Sequence, residues 1–243
     1  MKGIILAAGY ATRLYPLTEN QPKALLPVGG KPIINYILSE LETIPEIDEV
    51  IVVTNHKFAT HFEKWAKEQK TPLKLTVIDD NTTDDTNKLG AVGDISYVID
   101  TLKIDDEILV MAGDNIFTFK LKDYYDYYKK VDSDCILVKE LERDEDLIRM
   151  ANVKCDSYGR VNFMVEKPNP PVSNLAAFAS YIYKKETVPM IKKYLDEGNN
   201  PDAPGFFPSW LYQKKPVYAY KFEGECYDIG THDSYKEVCE IFK

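Results

Sequence analysis

The chain has 243 residues, of which 44% are hydrophobic, and its 39 acidic and 30 basic side chains give a formal net charge of −9. This balance excludes a disordered chain, and the acidic excess argues against a nucleic-acid partner because phosphate backbones attract basic surfaces. No apolar run approaches the roughly 20 residues of a transmembrane helix, and the first residues lack a signal-peptide pattern. We therefore expect a cytoplasmic protein with no membrane partner.

The first half alternates apolar strands with amphipathic helices. Four nearly continuous apolar runs are typical of strands buried on both faces. They cover residues 2–8, 49–54, 73–78 and 107–112. Segments 32–44, 57–70 and 89–102 carry apolar residues at helical spacing. This alternation predicts a doubly wound α/β fold with a mainly parallel sheet.

The second half has shorter strands separated by turn residues. Strands are predicted at 134–140, 152–156, 160–166, 175–183 and 216–222, and helices at 184–195 and 232–242. The sequence has no repeat and no flexible linker. We therefore expect one domain over residues 1–243, whose second half supplies a smaller β-rich substrate lid.

Cysteine and histidine are too scattered to predict a metal centre. Cys135, Cys155, Cys226 and Cys239 form no C-x-x-C pair, and the three histidines are far apart in the sequence. Free thiols in a reducing cytoplasm are the simplest interpretation.

The segment after the first strand is the first candidate site, because ligands of open α/β sheets bind beyond the carboxyl ends of the strands. Residues 9–18 have the sequence Gly-Tyr-Ala-Thr-Arg-Leu-Tyr-Pro-Leu-Thr, and Pro22-Lys23 follows. Small residues let backbone N–H groups approach phosphate oxygens, Arg13 can bind two of those oxygens, and Lys23 adds a positive charge. Taken alone, the segment is equally consistent with an exposed loop carrying two solvated cations.

The whole string resembles the signature of the sugar-1-phosphate nucleotidyltransferases, also called nucleotide-sugar pyrophosphorylases. That signature is Gly-x-Gly-Thr-Arg-Leu-x-Pro-Leu-Thr followed by Pro-Lys, and only its second glycine differs here, as Ala11. Further motifs follow in the family's order, at 89–93 (Leu-Gly-Ala-Val-Gly), 113–115 (Gly-Asp-Asn), 165–168 (Val-Glu-Lys-Pro) and 227–231 (Tyr-Asp-Ile-Gly-Thr). The chain is thus similar to thymidylyltransferase- and uridylyltransferase-type enzymes that lack a C-terminal extension.

The resemblance implies a three-layer α/β/α Rossmann-like core with a mixed, mainly parallel sheet. Residues 1–115 would form the nucleotide-binding half and 116–243 the acceptor-binding half. Catalytic roles would belong to Arg13, Lys23, Asp114 and Asp228. The expected nucleotide contacts are Leu6, Ala8, Gly9, Tyr10, Ala11, Thr12, Arg13, Lys23, Leu89 and Gly90. The expected acceptor contacts are Asn152, Glu166, Lys167 and Phe178.

The implied reaction joins a nucleoside triphosphate to a phosphorylated sugar and releases pyrophosphate. A phosphate oxygen is itself the nucleophile, so catalysis depends on positioning and charge neutralisation. Asp114 and Asp228 would hold Mg²⁺, which accepts few carboxylates together with substrate oxygens and water. The family is often oligomeric, so a homo-oligomer stays open.

The acceptor site departs from the family pattern. Relatives that act on hexose phosphates commonly have glycine in the strands matching 149–153 and 177–181, where this chain has Ala151, Phe178 and Ala179. The extra side chains can reshape the pocket, so a cytidylyltransferase acting on phosphocholine or a similar phospho-alcohol is one alternative. An aromatic ring at Phe178 would suit a quaternary ammonium group.

Two further alternatives concern the activity itself. Glycosyltransferases that use nucleotide sugars share a similar core, but their Asp-x-Asp motif is absent where this chain has Asp114-Asn115-Ile116. A catalytically silent homologue is disfavoured by the joint presence of Arg13, Lys23 and the two aspartates. Asp114 alone would also suit a helix N-cap before Asn115.

Overall fold

The computed structural model describes residues 1–243. Its strands are β1 (Lys2–Leu6), β2 (Pro27–Val28), β3 (Lys31–Pro32), β4 (Glu49–Thr54), β5 (Lys74–Asp79), β6 (Ile108–Ala112), β7 (Asn115–Phe117), β8 (Asp134–Glu140), β9 (Ala151–Cys155), β10 (Val161–Val165), β11 (Leu175–Tyr183), β12 (Val217–Lys221) and β13 (Cys226–Asp228). Its helices are α1 (Ile33–Leu41), α2 (Ala59–Glu68), α3 (Ala91–Leu102), α4 (Leu121–Val131), α5 (Asp144–Leu147), α6 (Val188–Asp196), α7 (Phe206–Leu211) and α8 (His232–Ile241).

The chain forms two compact units that are interleaved along the sequence. Unit 1 comprises Met1–Lys88, Met111–Lys122 and Gly224–Lys243, and unit 2 comprises Leu89–Val110 and Asp123–Glu223. Each unit therefore contains residues from both of the halves that the sequence predicts. Because those halves were defined by the ligands they would bind, the division at residue 115 stays a prediction.

Unit 1 is built on parallel strands. β1 pairs in parallel with β4, and β4 pairs in parallel with β5. All six residues of β4 are buried, as its unbroken apolar sequence predicts. α1 buries its apolar stripe, and α2 buries Phe62 and Trp65. α2 packs against β4 and β5, and α1 packs against β7.

Unit 2 is built mainly on antiparallel strands. β10 pairs with β9, β9 with β11, and β11 with β8, each antiparallel, whereas β12 joins β8 in parallel. The strand β11 alternates little and is buried at seven of its nine positions. A β-rich unit with this pairing agrees with the short strands predicted for the second half.

The predicted α/β class with a mixed sheet is confirmed. The predicted strands at 49–54, 134–140 and 175–183 have the observed bounds, and most others differ by one or two residues at an end. The helix predicted at 184–195 begins only at Val188, because residues 184–187 form a turn before Pro189. No helix has both the length and the apolarity that crossing a membrane requires.

Candidate active site

The loop after β1 is held in one conformation by its own hydrogen bonds. Ala11 adopts the left-handed conformation, with φ of 49° and ψ of 40°. Its carbonyl oxygen accepts a hydrogen bond from the Leu14 backbone N–H at 2.9 Å and another from the buried Thr18 hydroxyl at 2.8 Å. A short 3₁₀ turn over Thr12–Leu14 follows and places Arg13 on the exposed side.

Gly113 lets the chain after β6 approach the end of β1. The Gly113 N–H donates to the Leu6 carbonyl oxygen at 2.9 Å. A Cβ atom at residue 113 would lie 2.8 Å from that same oxygen, so only glycine fits without a shift. This close approach carries Asp114 to the edge where the loop of Ala11 begins.

These segments surround a cavity of about 200 Å³ within unit 1. It is lined by Leu6, Ala7, Gly9, Ala11, Arg13, Lys23, Ala24, Gly113 and Asp114. Two cations, one carboxylate and a run of small residues therefore face one space. A cavity of this composition suits a phosphorylated anion that is bound by backbone N–H groups and basic side chains.

Lys23 and Asp114 form an ion pair at the wall of this cavity. Lys23 Nζ lies 2.5 Å from Asp114 Oδ2, and the two side chains are 17% and 31% exposed. Lys23 starts a 3₁₀ turn over Lys23–Leu25, which Gln21 closes by donating to the Leu25 carbonyl oxygen at 2.8 Å. Arg13, in contrast, is exposed and forms no ion pair.

Asp228 lies beside Asp114 because β7 and β13 pair. The two strands are antiparallel, with Asp228 opposite Asn115, and the Ile229 N–H donates to the Asp114 carbonyl oxygen at 3.2 Å. A strand therefore follows Asp114, so the helix-cap alternative for this residue is wrong. The pairing brings the two aspartates together at the backbone, and carboxylates are ligands that Mg²⁺ accepts together with substrate and water oxygens.

The segment after Asp228 also contacts the loop that follows β1. Thr231 caps α8 by accepting a hydrogen bond from the Ser234 N–H at 3.2 Å. His232 Nε2 donates to the Tyr15 carbonyl oxygen at 2.8 Å. The loop of Arg13 and the motif of Asp228 are thus joined directly within unit 1.

The expected acceptor residues all lie in unit 2, where Glu166 has the most unusual environment. Its side chain is 6% exposed, and its only ionic partner is Lys167, whose Nζ lies 3.9 Å from Glu166 Oε1. Burial raises the pKa of Glu166 to about 7, although the charge of Lys167 opposes the rise. Lys167 itself is 52% exposed, with φ of 47°.

Asn152 is fully buried and uses its side chain within the protein. Its Nδ2 donates to the carbonyl oxygens of Leu147 at 2.8 Å and Met150 at 3.2 Å, and its Oδ1 accepts from the Val172 N–H at 3.1 Å. These bonds join Asn152 of β9 to the segment before β9 and to the segment before β11. A contact of Asn152 with an acceptor stays a prediction, and the amide already has three partners.

Phe178 and Gly90 are both defined by packing in unit 2. The Phe178 ring is buried and meets the ring of Phe222 edge-on, with 5.3 Å between centroids. Gly90, which follows Leu89, has φ of 79°, and a Cβ atom there would lie 2.5 Å from the Pro201 carbonyl oxygen. The glycine of the expected base-binding segment is therefore required by its backbone conformation and by its close neighbour.

Comparisons with known proteins agree with this arrangement. Residues 2–242 match the family described as "Nucleotidyl transferase". The chain belongs to that family. A UTP–glucose-1-phosphate uridylyltransferase of Staphylococcus epidermidis is 30% identical over 252 residues, which is 94% of this chain and 87% of the relative. The bifunctional protein GlmU of Methanocaldococcus jannaschii is 31% identical over 195 residues, 79% of this chain and 42% of that protein.

The solved structure of a UDP-glucose pyrophosphorylase complexed with UDP-glucose has a TM-score of 0.84 and is 22% identical, with 99% of this chain and 97% of that chain covered. At that identity the likeness establishes the shared fold. The chain spans 62% and 42% of the lengths of two archaeal relatives, from Sulfolobus acidocaldarius and M. jannaschii. The resemblance inferred from the sequence motifs is confirmed as family membership.

Membership in the nucleotidyl transferase family explains the motifs, but a motif does not show which contacts each of its residues makes. Thr18 is fully buried and fixes Ala11, and Gly113 is required by the contact with Leu6. Both lie inside the motifs of the sequence analysis, which mark these positions but not the contacts that the residues make. His232 and Ile229 act through hydrogen bonds between residues far apart in the sequence. Pattern alone carries no information about such pairs.

Proposed function

We propose that this chain transfers a nucleotidyl group from a nucleoside triphosphate to a sugar 1-phosphate, forming a nucleotide sugar and pyrophosphate. The observation that carries the proposal is the cavity in unit 1 that Arg13, Lys23 and Asp114 line together with a backbone of small residues. The uridylyltransferase relative from S. epidermidis, whose name states glucose 1-phosphate as its substrate, supports the same reaction class.

The reaction is an in-line displacement at phosphorus. An anionic oxygen of the sugar phosphate attacks the α-phosphorus and forms the new P–O bond, while the bond from the α-phosphorus to the bridging oxygen of the β-phosphate breaks. Pyrophosphate leaves with the electron pair of that bond. Because the nucleophile is already ionised, no side chain has to remove a proton, and the site must chiefly align the two anions and neutralise charge.

The two cations have different tasks. Arg13 is exposed at the cavity and forms no ion pair, so its guanidinium is available to hold two oxygens of the β- and γ-phosphates. Lys23 is more buried, and it would neutralise the charge that builds on the α-phosphate. Its ammonium group would then leave Asp114 and bind the phosphate. The backbone of residues 6–12 would contact the remaining triphosphate oxygens.

Asp114 and Asp228 are proposed to hold Mg²⁺. The chain offers no group of three or more His, Cys, Asp or Glu side chains that would form an all-protein metal site. Two aspartates on paired segments suit Mg²⁺, which prefers oxygen ligands and usually keeps water and substrate oxygens in its shell. When bound, the ion would neutralise charge on the phosphate oxygens and orient the triphosphate.

The acceptor is proposed to bind in unit 2 through Glu166 and Lys167. Lys167 is exposed and positively charged, so it suits the phosphate of the acceptor. Glu166 has a pKa of about 7 and thus exists in both protonation states near neutral pH, which lets its carboxyl accept or donate hydrogen bonds with sugar hydroxyls. The segment of Leu89 and Gly90 would read the base through its backbone.

Phosphocholine is the weaker acceptor candidate. That alternative depended on Phe178 as an aromatic surface for a quaternary ammonium group. The ring is buried against Phe222, and only 7% of the residue is exposed. Membership in the nucleotidyl transferase family likewise favours nucleotidyl transfer over the glycosyltransferase alternative. The four free thiols suit the cytoplasm that we propose as the location.

A pyrophosphate-release screen tests the proposal. Five nucleoside triphosphates are each combined with a panel of sugar 1-phosphates, with phosphocholine and with no acceptor. We expect release that requires a sugar 1-phosphate and is lost in Arg13→Ala. The matched control is Arg160→Ala, which removes an exposed arginine of unit 2. The assignment would be overturned if pyrophosphate release with phosphocholine were tenfold faster than with every sugar 1-phosphate. Release that needs no acceptor would also overturn it.

A further inference from the structure

One short segment of unit 2, residues 200–205, supports the expected base-binding glycine at one end. The Ala91 and Val92 N–H groups donate to the carbonyl oxygens of Asp202 and Pro201, each at 2.9 Å. The segment is itself anchored, because the Tyr194 hydroxyl donates to the Asn200 carbonyl oxygen at 2.7 Å. Its position is therefore fixed on both the α3 and the α6 side.

The other end of the segment, Gly205, lies against the carboxylate of Glu166. A Cβ atom built on Gly205 would stand 1.9 Å from Glu166 Oε2 and 3.2 Å from the Ala151 Cβ. Gly205 has φ of −74° and ψ of −11°, an ordinary right-handed conformation that alanine adopts without strain. An alanine at 205 would therefore meet no backbone strain, but the Glu166 carboxylate, at the end of a flexible side chain, would have to move aside.

Glu166 has no hydrogen bond within the chain that would fix its orientation. Its only ionic partner is Lys167 at 3.9 Å, a distance that does not constrain the direction of the carboxylate. The side chain is nevertheless only 6% exposed, so its packing against the surrounding chain, Gly205 included, must set where its oxygens lie. The missing side chain of Gly205 is the feature that leaves room for one of them.

We infer that Gly205 is a positioning residue that places the Glu166 carboxylate for binding of the acceptor. The inference deepens the proposed function and rests on it, because Glu166 is assigned to the acceptor there. Gly205 contributes no group to the ligand and acts only through Glu166. A displaced carboxylate would lose its hydrogen bonds to the sugar while the nucleotide cavity in unit 1 stays intact.

Kinetics of Gly205→Ala test this inference. We expect the KM for the sugar 1-phosphate to rise by about tenfold or more, because a shift of about 1 Å at a binding group is costly, while the KM for the nucleotide is unchanged. Gln213→Ala, an exposed change just after α7, is the control and should keep both values. An unchanged acceptor KM in Gly205→Ala would overturn the inference.

The double variant Glu166→Asp/Gly205→Ala tests whether the effect passes through Glu166. Aspartate is one methylene shorter and leaves space for the new methyl group, so the double variant should match Glu166→Asp alone. If Gly205→Ala raised the KM for the sugar 1-phosphate as much in the Glu166→Asp protein as in the wild type, the inference would be contradicted. If Gly205→Ala fails to fold, recovery of folding in the double variant supports the contact, and failure of both variants to fold overturns it.

A titration that needs no substrate separates this inference from the proposed function. The ¹³C NMR signal of the Glu166 carboxyl, assigned by its loss in Glu166→Gln, should have a different pH midpoint in Gly205→Ala. If the wild-type protein transfers to no sugar phosphate, the proposed function fails, and this midpoint alone decides the positioning role. An identical midpoint in both proteins would then refute it.

Discussion

Lys23 Nζ and Asp114 Oδ2 are 2.5 Å apart, so the proposed α-phosphate ligand and a proposed metal ligand are direct partners. In the proposed mechanism this ion pair breaks when substrate and metal bind. Lys23 then contacts the phosphate, and Asp114 contacts the metal. Binding of phosphate to Lys23 leaves the Asp114 carboxylate for the metal, and binding of the metal to Asp114 leaves the Lys23 ammonium group for the phosphate. Nucleotide and metal should accordingly bind with positive coupling.

Replacing Lys23 with methionine should separate these two effects. Turnover should fall because the α-phosphate loses its cation, whereas the nucleotide-free protein should bind Mn²⁺ about threefold to tenfold more tightly because a partly exposed ion pair is removed. Electron paramagnetic resonance of free Mn²⁺ measures the affinity. Lys67→Met, an exposed change on α2, is the control. Unchanged Mn²⁺ affinity in Lys23→Met would show that Lys23 does not compete for the metal-binding carboxylate.

Asp114→Asn and Asp228→Asn should each lower turnover by about 100-fold or more at limiting Mg²⁺, since a neutral amide is a poor Mg²⁺ ligand. Both variants should keep the circular dichroism spectrum of the parent. Asp233→Asn, an exposed change in the first turn of α8, should retain activity. Full activity of either site variant at low Mg²⁺ would remove that residue from the metal site.

Glu166→Gln should change how stability depends on pH. Burial raises the pKa of Glu166 from 4.5 to about 7, while Lys167 lowers it and Asp202 raises it further. Tyr181 and Tyr194 also face this carboxyl and stay neutral, because burial raises the pKa of each hydroxyl above its usual 10. Between pH 4.5 and about pH 7, the unfolded chain releases the Glu166 proton and the folded chain keeps it. The free energy of unfolding should therefore fall by roughly 3 kcal/mol as pH rises through this window.

Urea unfolding at pH 5 and pH 8 measures this slope. The Glu166→Gln variant should lose most of it, because glutamine has no proton to release. Glu186→Gln, a change at an exposed carboxylate, should leave the decrease between pH 5 and pH 8 in place. An equally steep decrease in Glu166→Gln would show that other groups cause it.

Ala11→Gly should stabilise the protein. Ala11 has φ of 49°, where a Cβ atom is unfavourable, and glycine is free of that cost but gains entropy in the unfolded chain. The net gain should be about 0.5 kcal/mol, measured as a rise in the urea midpoint. Ala66→Gly in the interior of α2 should instead destabilise by about 1 kcal/mol. A similar loss of unfolding free energy in Ala11→Gly would show that Ala11 is not strained.

The sequence predicts the long buried elements well and the short ones poorly. β4 and β11 are nearly continuous apolar runs whose length is visible in the sequence. β7 and β13 have three residues each, too few for a periodic pattern, although their pairing brings Asp114 and Asp228 together. α4 is an exception, because it is long but its buried residues Tyr124, Tyr125 and Tyr128 do not stand out as an apolar stripe in the sequence.

The candidate site shows a similar division. The motif comparison identified Ala11 as a departure from the family, but the left-handed φ that explains the usual glycine is a property of the folded backbone. The ion pair of Lys23 with Asp114 joins residues 91 positions apart, and no local pattern encodes such a pair. Gly205 carries no chemical group, so only the packing of Glu166 against it reveals its importance.

The central claim is that a sugar phosphate oxygen attacks the α-phosphorus. The most direct measurement is ³¹P NMR of the product formed from a sugar 1-phosphate whose phosphate carries ¹⁸O. The account predicts a new diphosphate with ¹⁸O in the bridge between its two phosphorus atoms, together with one pyrophosphate for each diphosphate. A nucleoside monophosphate that contains solvent oxygen, or a diphosphate without bridging ¹⁸O, would contradict it.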